Sequence, residues 1–511
     1  MDTLMNIILS LGNGLIEILN PITIALIIIG LLIGLLTSAL PGLTLIIGVV
    51  LALPFTYSMN PTNAIVLLTA IYLAGTYGGA FPAILYKIPG DPIHVPLLWD
   101  GYPMTCQGRG AEALGWTLYA NLFGGIFAAI LMVLVSEPLA KIALSFSSPE
   151  YFAIVFFGLS SVLVLGTTSF RDAVVSMCIG LFIATVGVDA MFGINRFTFD
   201  TKFLLAGVDW LIVLVGIYAV AEIFSRLETG FQSSGLKTKD KAKIETALPK
   251  LKDCQKKTPT FLRGSFLGTI IGFIPGAGAT VAAFISYGLE KQYGGKEKSK
   301  LGKGAPEGLI SSQSAATASV GGALIPMLTL GIPGSGATAI ILGAFMLHGI
   351  QPGPGIFHTN GNMIYAIYAS VFVGILLTSI LGLLAVKPIV KILKAPETII
   401  SAFIMVLCII GAFALRNNIY DVWLLFLFGI IGFFLHKFQY PLSPLLLGTI
   451  LGQIAERNFL TTMISYKNDW TIFFLRPISG ALIIISIISI VVALTLPLWQ
   501  KRKTGKITPS Q

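Results

Sequence analysis

The chain has 511 residues, of which 55% are hydrophobic and only 11% are charged. A soluble globular domain carries about 25% charged residues, so this composition excludes an ordinary soluble protein. The formal net charge is +10, and its basic residues collect in polar segments between apolar runs. That placement is typical of the cytoplasmic loops of membrane proteins and argues against a nucleic-acid-binding surface.

Apolar runs dominate the chain from its first residues onward. The N-terminal stretch MDTLMNIILSLGNG lacks a basic segment and a small-residue cleavage site, so we predict an interfacial helix or a first span there rather than a cleaved signal peptide. The runs 204–224, 363–386 and 480–498 are near or beyond the roughly 20 apolar residues that cross a bilayer. The sequence therefore predicts an all-α polytopic membrane protein with roughly 10–14 membrane segments.

Pro-Gly pairs break apolar runs at four places, near 41–42, 89–90, 275–278 and 333–336. The second and fourth breaks close similar motifs, GGAFPAILYKIPG and GGALIPMLTLGIPG, with one inserted residue between them. The first and third breaks precede these motifs at similar spacings. The order of parts predicts an internal repeat, in which one half of the chain resembles the other.

Basic segments set the expected boundaries of the two halves. We expect residues 1–225 to form the first membrane repeat (the first half) and residues 264–499 the second (the second half). A basic cytoplasmic loop at 226–263 joins them, and a basic cytoplasmic tail follows at 500–511. Counting spans back from these basic segments gives the halves opposite orientations in the membrane, which predicts an inverted-topology repeat.

The breaks themselves indicate what the protein does. Proline removes a backbone donor, and unpaired backbone groups in hydrocarbon cost several kcal/mol each, so such breaks persist where they line a cavity or are buried in protein. Half-helix N-termini present free N–H groups to an anion, and freed carbonyls hold a cation. The alternative is a set of ordinary proline kinks. We favour four half-helix tips that meet near the midplane of an anion carrier.

Candidate site residues are the small, hydroxylated and proline residues at the breaks and on the polar stretch that precedes the last of them. The candidate substrate- and ion-binding residues are Pro41, Gly42, Thr44, Pro89, Gly90, Pro275, Gly276, Gly278, Thr280, Ser314, Thr317, Pro333, Gly334, Ser335, Gly336 and Thr338. Close helix packing through small residues is the competing explanation for them. Asp100, Glu307 and Gln313 flank the broken segments and are candidate coupling or gating groups.

Enzymatic alternatives find little support in the sequence. The four cysteines are widely spaced, and the four histidines have no carboxylate at metal-ligand spacing, so we predict no metal site, no catalytic residue and no cofactor. The stretch PGAGAT lacks the G-x-x-x-x-G-K-[ST] pattern of a phosphate loop. A membrane-embedded enzyme would need a convergent acid, base or metal cluster. A channel would need a continuous polar path, and it remains open as an alternative.

Several long motifs resemble the large permease subunit of tripartite tricarboxylate transporters, the TctA type. The resemblance extends from about residue 30 to the last spans of the second half. The motifs are SALPGLTLIIGVVLALPFTY (38–57), AIYLAGTYGGAFPAILYKIPG (70–90), DGYPMTCQGRGAEAL (100–114), GLFIATVGVDAMFGINRFTF (180–199), GTIIGFIPGAGATVAAFISYGLEK (268–291), ALIPMLTLGIPGSGATAIILGA (323–344) and PGPGIF (352–357).

The resemblance implies a function and partners that composition and spacing do not show. It implies a multi-pass subunit of the cell membrane that imports a di- or tricarboxylate by alternating access, driven by a Na⁺ or H⁺ gradient. It also implies a small membrane subunit and an extracytoplasmic solute-binding protein as partners. An anion channel, or a carrier of another small solute that acts without a binding protein, is the alternative.

The sequence departs from the family pattern at two places. After GKGAPEG the family usually has an acidic residue and an Asn-Asn pair, where this chain has Gln313 and then Ala316-Thr317. After the first Ile-Pro-Gly the family more often has small and hydroxylated residues, where this chain has Asp91 and His94. These changes alter charge and hydrogen bonding at the rim of the expected site, so they bear on the substrate and the coupling ion.

Overall fold

A computed structural model describes residues 2–40, 43–165, 170–189, 191–229, 246–294, 299–392 and 397–504. Helices form nearly all the regular structure of these residues, beside one short antiparallel ribbon of Gly187–Val188 and Asn195–Arg196. Six helices in the described part are long and apolar enough to cross a membrane, and six shorter apolar helices accompany them. The predicted class, an all-α polytopic membrane protein, is confirmed. The predicted number of segments stays a prediction.

The helices before the basic loop are numbered α1 to α11, and a π-helical turn at Gly216–Val220 joins the last two of them. Their bounds are α1 Asp2–Ile18, α2 Pro21–Ala39, α3 Leu45–Thr56, α4 Pro61–Gly78, α5 Ala80–Tyr86, α6 Val95–Cys106, α7 Gly110–Ala143, α8 Ser148–Leu165, α9 Phe170–Ala184, α10 Trp210–Val215 and α11 Ala221–Thr229, with 3₁₀ turns at Pro92–His94 and Lys202–Leu204.

The remaining helices begin inside the predicted basic loop. Their bounds are α12 Leu251–Lys256, α13 Thr258–Phe273, α14 Gly278–Tyr293, α15 Pro306–Leu330, α16 Gly336–Leu347, α17 Ile356–Thr359, α18 Gly361–Ile392, α19 Glu397–Arg416, α20 Ile419–Lys437, α21 Leu442–Ser465, α22 Ile472–Leu475 and α23 Pro477–Thr504. The centre of that loop, 230–245, and the end of the predicted tail, 505–511, lie outside the described residues.

Residue contacts divide the chain into two compact units. The first contains Met1–Leu144 and Leu214–Phe433, and the second contains Ser145–Val213 and Phe434–Gln511. The three described Pro-Gly segments, near 89–90, 275–278 and 333–336, belong to the first unit. Contact grouping and sequence repetition are different properties, so the predicted division into two repeats at 226–263 stays a prediction.

The second unit is organised around α21. Helices α8 and α9 both pack on α21, and α23 packs on α8. Arg196, from the short ribbon, forms ion pairs with Asp189 and Glu456. Arg476 pairs with Glu150 at 2.7 Å. The pairs with Glu456 and Glu150 join segments that are distant in sequence, as expected where charged side chains lie close to apolar surface.

Local sequence explains where the long helices of the first unit begin. The side chain of Asn20 accepts a hydrogen bond from Ile22 N at 3.0 Å, and Asn60 accepts one from Thr62 N at 3.0 Å. Proline follows each of these asparagines, at the first helical position, where its missing N–H costs nothing. An Asn-Pro pair therefore starts both α2 and α4.

Glycines bring α2 against α4 and α13 against α15 at backbone distance. On α2, a Cβ atom at Gly34 would overlap the carbonyl oxygen of Ile71; on α13, one at Gly268 would overlap that of Ala315. The same shift in numbering that relates Pro41 to Pro275 relates Gly34 to Gly268. The shift that relates Pro89 to Pro333 relates Ile71 to Ala315. The two helix pairs therefore cross at corresponding residues.

The backbone at the breaks also recurs. The C-cap residues of α2 and α13, Leu40 and Ile274, both have φ −77° and ψ 120°. Ile88 N donates to Pro82 O at 3.3 Å, and Ile332 N donates to Pro326 O at 3.3 Å. Matched sequence positions thus have matched backbone conformations. Membrane orientation is a separate property, and the inverted topology stays a prediction.

Candidate functional site

The break between α13 and α14 is held by its own backbone and by the second break of the same half. Pro275 supplies no donor, and Gly276 and Gly278 adopt φ values of +77° and +62°, which L side chains rarely adopt. Gly276 N donates to Gly334 O at 3.0 Å. The two breaks of the second half are therefore directly hydrogen-bonded to each other.

Ser335 organises the start of α16. Its Oγ accepts a hydrogen bond from Thr338 N at 3.3 Å, and its own N–H donates to Thr338 Oγ1 at 2.8 Å, which forms a capping box. Tyr72 OH, on α4, lies 3.1 Å from Ser335 Oγ. A helix of the first half thus contacts the tip of a broken helix of the second half through a buried hydroxyl pair.

The N-terminus of α14 lies beside that serine. A Cβ atom built on Gly278 would lie 3.6 Å from Ser335 Cβ. Among the described residues, no side chain caps the start of α14, whereas α16 is capped by Ser335. Uncapped N–H groups at a helix start carry partial positive charge and bind anions. This pair of tips, together with Thr280 in the first turn of α14, is suited to a carboxylate ligand.

The corresponding position in the first half holds a carboxylate of the chain itself. Asp91 is buried, and its Oδ2 accepts a hydrogen bond from Leu45 N, the first residue of α3, at 3.0 Å. Its Oδ1 accepts one from Ile93 N at 3.3 Å. Thr44 Oγ1 accepts from Ile47 N at 3.4 Å. The tip of α3 is therefore capped twice, unlike that of α14.

A buried polar network joins α4, α7, α15 and the 3₁₀ turn Pro92–His94. The carbonyl oxygen of Thr76 accepts hydrogen bonds from Gln313 Nε2 and from His94 Nε2, each at 3.0 Å, and so His94 carries its proton on Nε2. Gln313 Nε2 also donates to Thr317 Oγ1 at 3.0 Å, and Thr317 Oγ1 donates to Asn121 Oδ1 at 2.9 Å. Within the described residues, Gln313 Oε1 and His94 Nδ1 have no hydrogen-bond partner.

We predict that Gln313→Glu destabilises the protein by about 1–3 kcal/mol at neutral pH, because a carboxylate cannot donate to Thr76 O and would face that oxygen directly. Gln313→Met, of similar volume, should cost less, since His94 still donates to the same carbonyl. Apparent melting temperatures in detergent check the order. Acidification should narrow the difference in melting temperature between the two variants, because a protonated glutamic acid side chain at position 313 can donate a hydrogen bond to Thr76 O. Equal melting temperatures for the two variants would contradict the expected repulsion.

Asp100 and Glu307 are two of the candidate coupling groups. Glu307 lies in the first turn of α15, and Asp100, on α6, contacts the residues just before that helix. Asp100 accepts hydrogen bonds from the backbone N–H groups of Gly302, Gly304 and Ala305 and from Tyr287 OH. Glu307 forms an ion pair with Lys257, which lies 5.5 Å from the ring centroid of Trp116. These contacts attach α6 and the start of α13 to the N-terminal end of α15; a coupling role for either acid stays a prediction.

Most of the predicted site residues of the second half lie together in the structure, and the remaining predicted site residues lie apart from them. Pro275, Gly276, Gly278, Pro333, Gly334, Ser335, Gly336 and Thr338 form the two joined breaks. Ser314 lies elsewhere on α15, where its Oγ donates to Ile310 O at 2.7 Å. Pro89 and Gly90 lie between α5 and α6, with the Gly90 Cα against Ser38 O. Pro41 and Gly42 lie outside the described residues.

Three polar residues of this region were not among the predicted site residues: Tyr72, Thr76 and Asn121. Tyr72 and Thr76 belong to the motif AIYLAGTYGGAFPAILYKIPG, and Asn121 is an amide within an apolar run. A polar side chain within an apolar run indicates a functional or inter-helix contact, and these three residues carry that signal. Among the described residues, no group of three His, Cys, Asp or Glu side chains could hold a metal ion.

Comparison with known proteins decides the family. The model of the Tripartite tricarboxylate transporter TctA family matches residues 24–447. The chain belongs to this family. The predicted resemblance is thereby confirmed, and the TctA family is one of transporter permeases, so transport across a membrane is the general activity of this chain.

Two curated relatives, both from Agrobacterium vitis, extend the comparison. An uncharacterized 52.8 kDa protein in the TAR-I ttuC' 3'region is 34% identical over 499 residues, which is 98% of this chain and 98% of the relative. An uncharacterized protein in the TAR-II ttuC' 3'region is 35% identical over 235 residues, 46% of this chain and 97% of the relative. No solved structure matches the chain.

Proposed function

We propose that this TctA-family protein is the large permease subunit of a binding-protein-dependent secondary transporter that imports a di- or tricarboxylate. Import is driven by a Na⁺ or H⁺ gradient and proceeds by alternating access in the cell membrane. The observation that carries the proposal is the pair of second-half tips: the uncapped start of α14 beside Ser335, backed by the hydroxyls of Tyr72 and Thr338.

The chemistry of these tips suits a carboxylate. Backbone N–H groups at the start of α14 donate to one oxygen, and the hydroxyl groups of Ser335 and Thr280 add donors at the rim. Gly278 has no side chain to obstruct an approaching ligand. The freed carbonyls at the end of α13 have the character of cation ligands, which supports coupling to a cation at the same place.

Alternating access is supported by the recurrence of contacts. Helices α2 and α4 cross at glycines that correspond to those between α13 and α15, and the backbones of both second breaks match. The two halves also pack on each other: α15 of the second half packs on α7 of the first, and α4 of the first half packs on α18 of the second. Two related bundles that pack through their broken helices are the arrangement in which one bundle rocks against the other.

The partners follow from the family. A tripartite transporter contains a small membrane subunit and an extracytoplasmic solute-binding protein besides the large permease. We infer that this chain assembles with one of each, and that the binding protein delivers the carboxylate to the extracytoplasmic face. The rival activity is an anion channel, which would equilibrate its solute without accumulating it.

Uptake into proteoliposomes tests the proposal. This chain and its small subunit are reconstituted into vesicles, and the binding protein is added. Labelled succinate or citrate is supplied outside, and a Na⁺ or H⁺ gradient is imposed across the membrane. Accumulation above equilibrium with one gradient establishes the carrier and names the ion. Equilibration without accumulation identifies a channel, and absence of uptake from intact protein with every partner present refutes the proposal.

We predict that Ser335→Ala lowers carboxylate uptake about tenfold or more, because it removes the capping hydroxyl, the Tyr72 contact and a ligand donor together. Ser265→Ala is the matched control, since among the described residues the hydrogen bond of Ser265 Oγ stays within α13, to Phe261 O at 2.7 Å. Its uptake should remain within about twofold of wild type. If both variants transported alike, Ser335 would not belong to the site.

A further inference from the structure

We propose that Asp91 is a fixed internal anion that occupies, in the first half, the position at which the second half binds a carboxylate of the substrate. The chain then binds substrate carboxylate at one pair of tips, those of α14 and α16, and Asp91 determines this asymmetry. The inference rests on the proposed function, and it adds the number and location of the anion sites.

The equivalence of Asp91 and Ser335 follows from backbone contacts. Each is the residue after an Ile-Pro-Gly, and the hydrogen bond that precedes it has the same length, 3.3 Å, in both halves. The glycine before each lies against a carbonyl oxygen of the preceding broken helix: Ser38 O for Gly90 and Gly272 O for Gly334. Ser38 and Gly272 are themselves related by the shift that takes Pro41 to Pro275.

The side chains of Asp91 and Ser335 make different hydrogen bonds. Asp91 reaches across to the neighbouring broken helix and accepts a hydrogen bond from Leu45 N at 3.0 Å. The residue that corresponds to Leu45 in the second half is Ala279, in the first turn of α14. Ser335 instead turns its Oγ to Thr338 N and Tyr72 OH, and no described side chain caps α14. The first half holds a carboxylate at its helix tip, and no described side chain takes that place at the tip of α14.

Charge reinforces the difference. A helix start carries about half a positive charge, which a carboxylate at hydrogen-bond distance neutralises. No ion pair of Asp91 with Lys, Arg or His is found among the described residues, and His94, three residues on, directs its Nε2–H to Thr76 O. Because a full carboxylate charge exceeds this half charge, the tip of α3 together with Asp91 is net negative and repels a second anion. The tip of α14 keeps its attraction for an anion that arrives from outside.

Reciprocal substitutions test the assignment in the full-length chain, reconstituted with its small subunit in nanodiscs. Equilibrium binding of labelled succinate and citrate gives the number of sites per chain and their affinity. We expect one site in the wild type. Ser335→Asp should weaken binding about 100-fold or more, because it installs in the second half the internal carboxylate of the first. Since the first-half backbone already accommodates Asp at this position, the variant should keep the wild-type melting temperature.

Asp91 variants complete the exchange. Asp91→Asn, nearly isosteric, should keep the single second-half site within about threefold of its wild-type affinity. Asp91→Ser should open a second, weaker site at the first-half tip, so that the stoichiometry rises from one to two. The double variant Asp91→Ser/Ser335→Asp should bind only at the first-half tip. Melting temperature and elution volume show whether each variant is folded.

Three results would overturn the assignment: a folded Ser335→Asp that binds normally, a folded Asp91→Asn that loses binding, or a folded Asp91→Ser that still binds one anion. A wild-type protein that binds and accumulates no carboxylate would instead refute the proposed function. The wild-type measurement therefore separates the two failures, because it involves neither substitution.

Discussion

Replacing Asp100 by alanine is expected to leave little folded protein in the membrane. The carboxylate is fully buried and accepts hydrogen bonds from the N–H groups of Gly302, Gly304 and Ala305, at 2.8, 2.9 and 2.8 Å, and from Tyr287 OH at 2.9 Å. Each buried donor left unpaired costs about 1–3 kcal/mol, so the loss should reach about 4 kcal/mol or more. Membrane-inserted protein and its melting temperature in detergent measure the effect.

Two milder variants separate the contributions at this residue. Tyr287→Phe removes one of the four donors and leaves the carboxylate bonded to the backbone, so we expect a loss of about 1 kcal/mol. Asp100→Asn keeps the shape but presents an N–H₂ group toward donors, and it should fall between the other two. A folded Asp100→Asn with normal stability and no uptake would contradict this structural role and favour the predicted coupling role.

The membrane class and the positions of the breaks were readable from the sequence because both are local properties. The apolar composition of a run such as 363–386 by itself predicts a membrane helix, and the structure has a helix there, Gly361–Ile392. Pro275 and Gly276 interrupt a helix through their own covalent chemistry, whatever surrounds them. The order of the motifs predicts an internal repeat, which stays a prediction.

The partners of the polar side chains were not readable, because they depend on how distant helices meet. Tyr72 contacts Ser335, and Gln313 contacts the carbonyl of Thr76, across hundreds of intervening residues. A sequence pattern gives the face of a helix but not the register of its neighbour. In the sequence Asp91 is a departure from the family pattern, and its hydrogen bond to Leu45 N in the structure shows that it caps another broken helix.

The register of those helices rests on glycine, and alanine at two corresponding positions should disrupt it. In Gly34→Ala and Gly268→Ala the new methyl group would overlap a backbone carbonyl oxygen, of Ile71 and of Ala315 respectively. A backbone atom in the middle of a helix cannot move aside as a side-chain end does, so α2 and α4, or α13 and α15, must separate. We expect each substitution to cost about 3 kcal/mol.

Gly288→Ala on α14 is the matched control, since a Cβ atom there meets nothing within 4 Å. In an exposed helical position the same change should stabilise by about 0.5–1 kcal/mol, because alanine loses less backbone entropy on folding. Apparent melting temperatures should therefore fall for both packed glycines and stay level or rise for Gly288. Because Gly34 and Gly268 hold corresponding crossings, similar losses at the two are expected, and a large loss at one with none at the other would show that the two helix pairs are not packed alike.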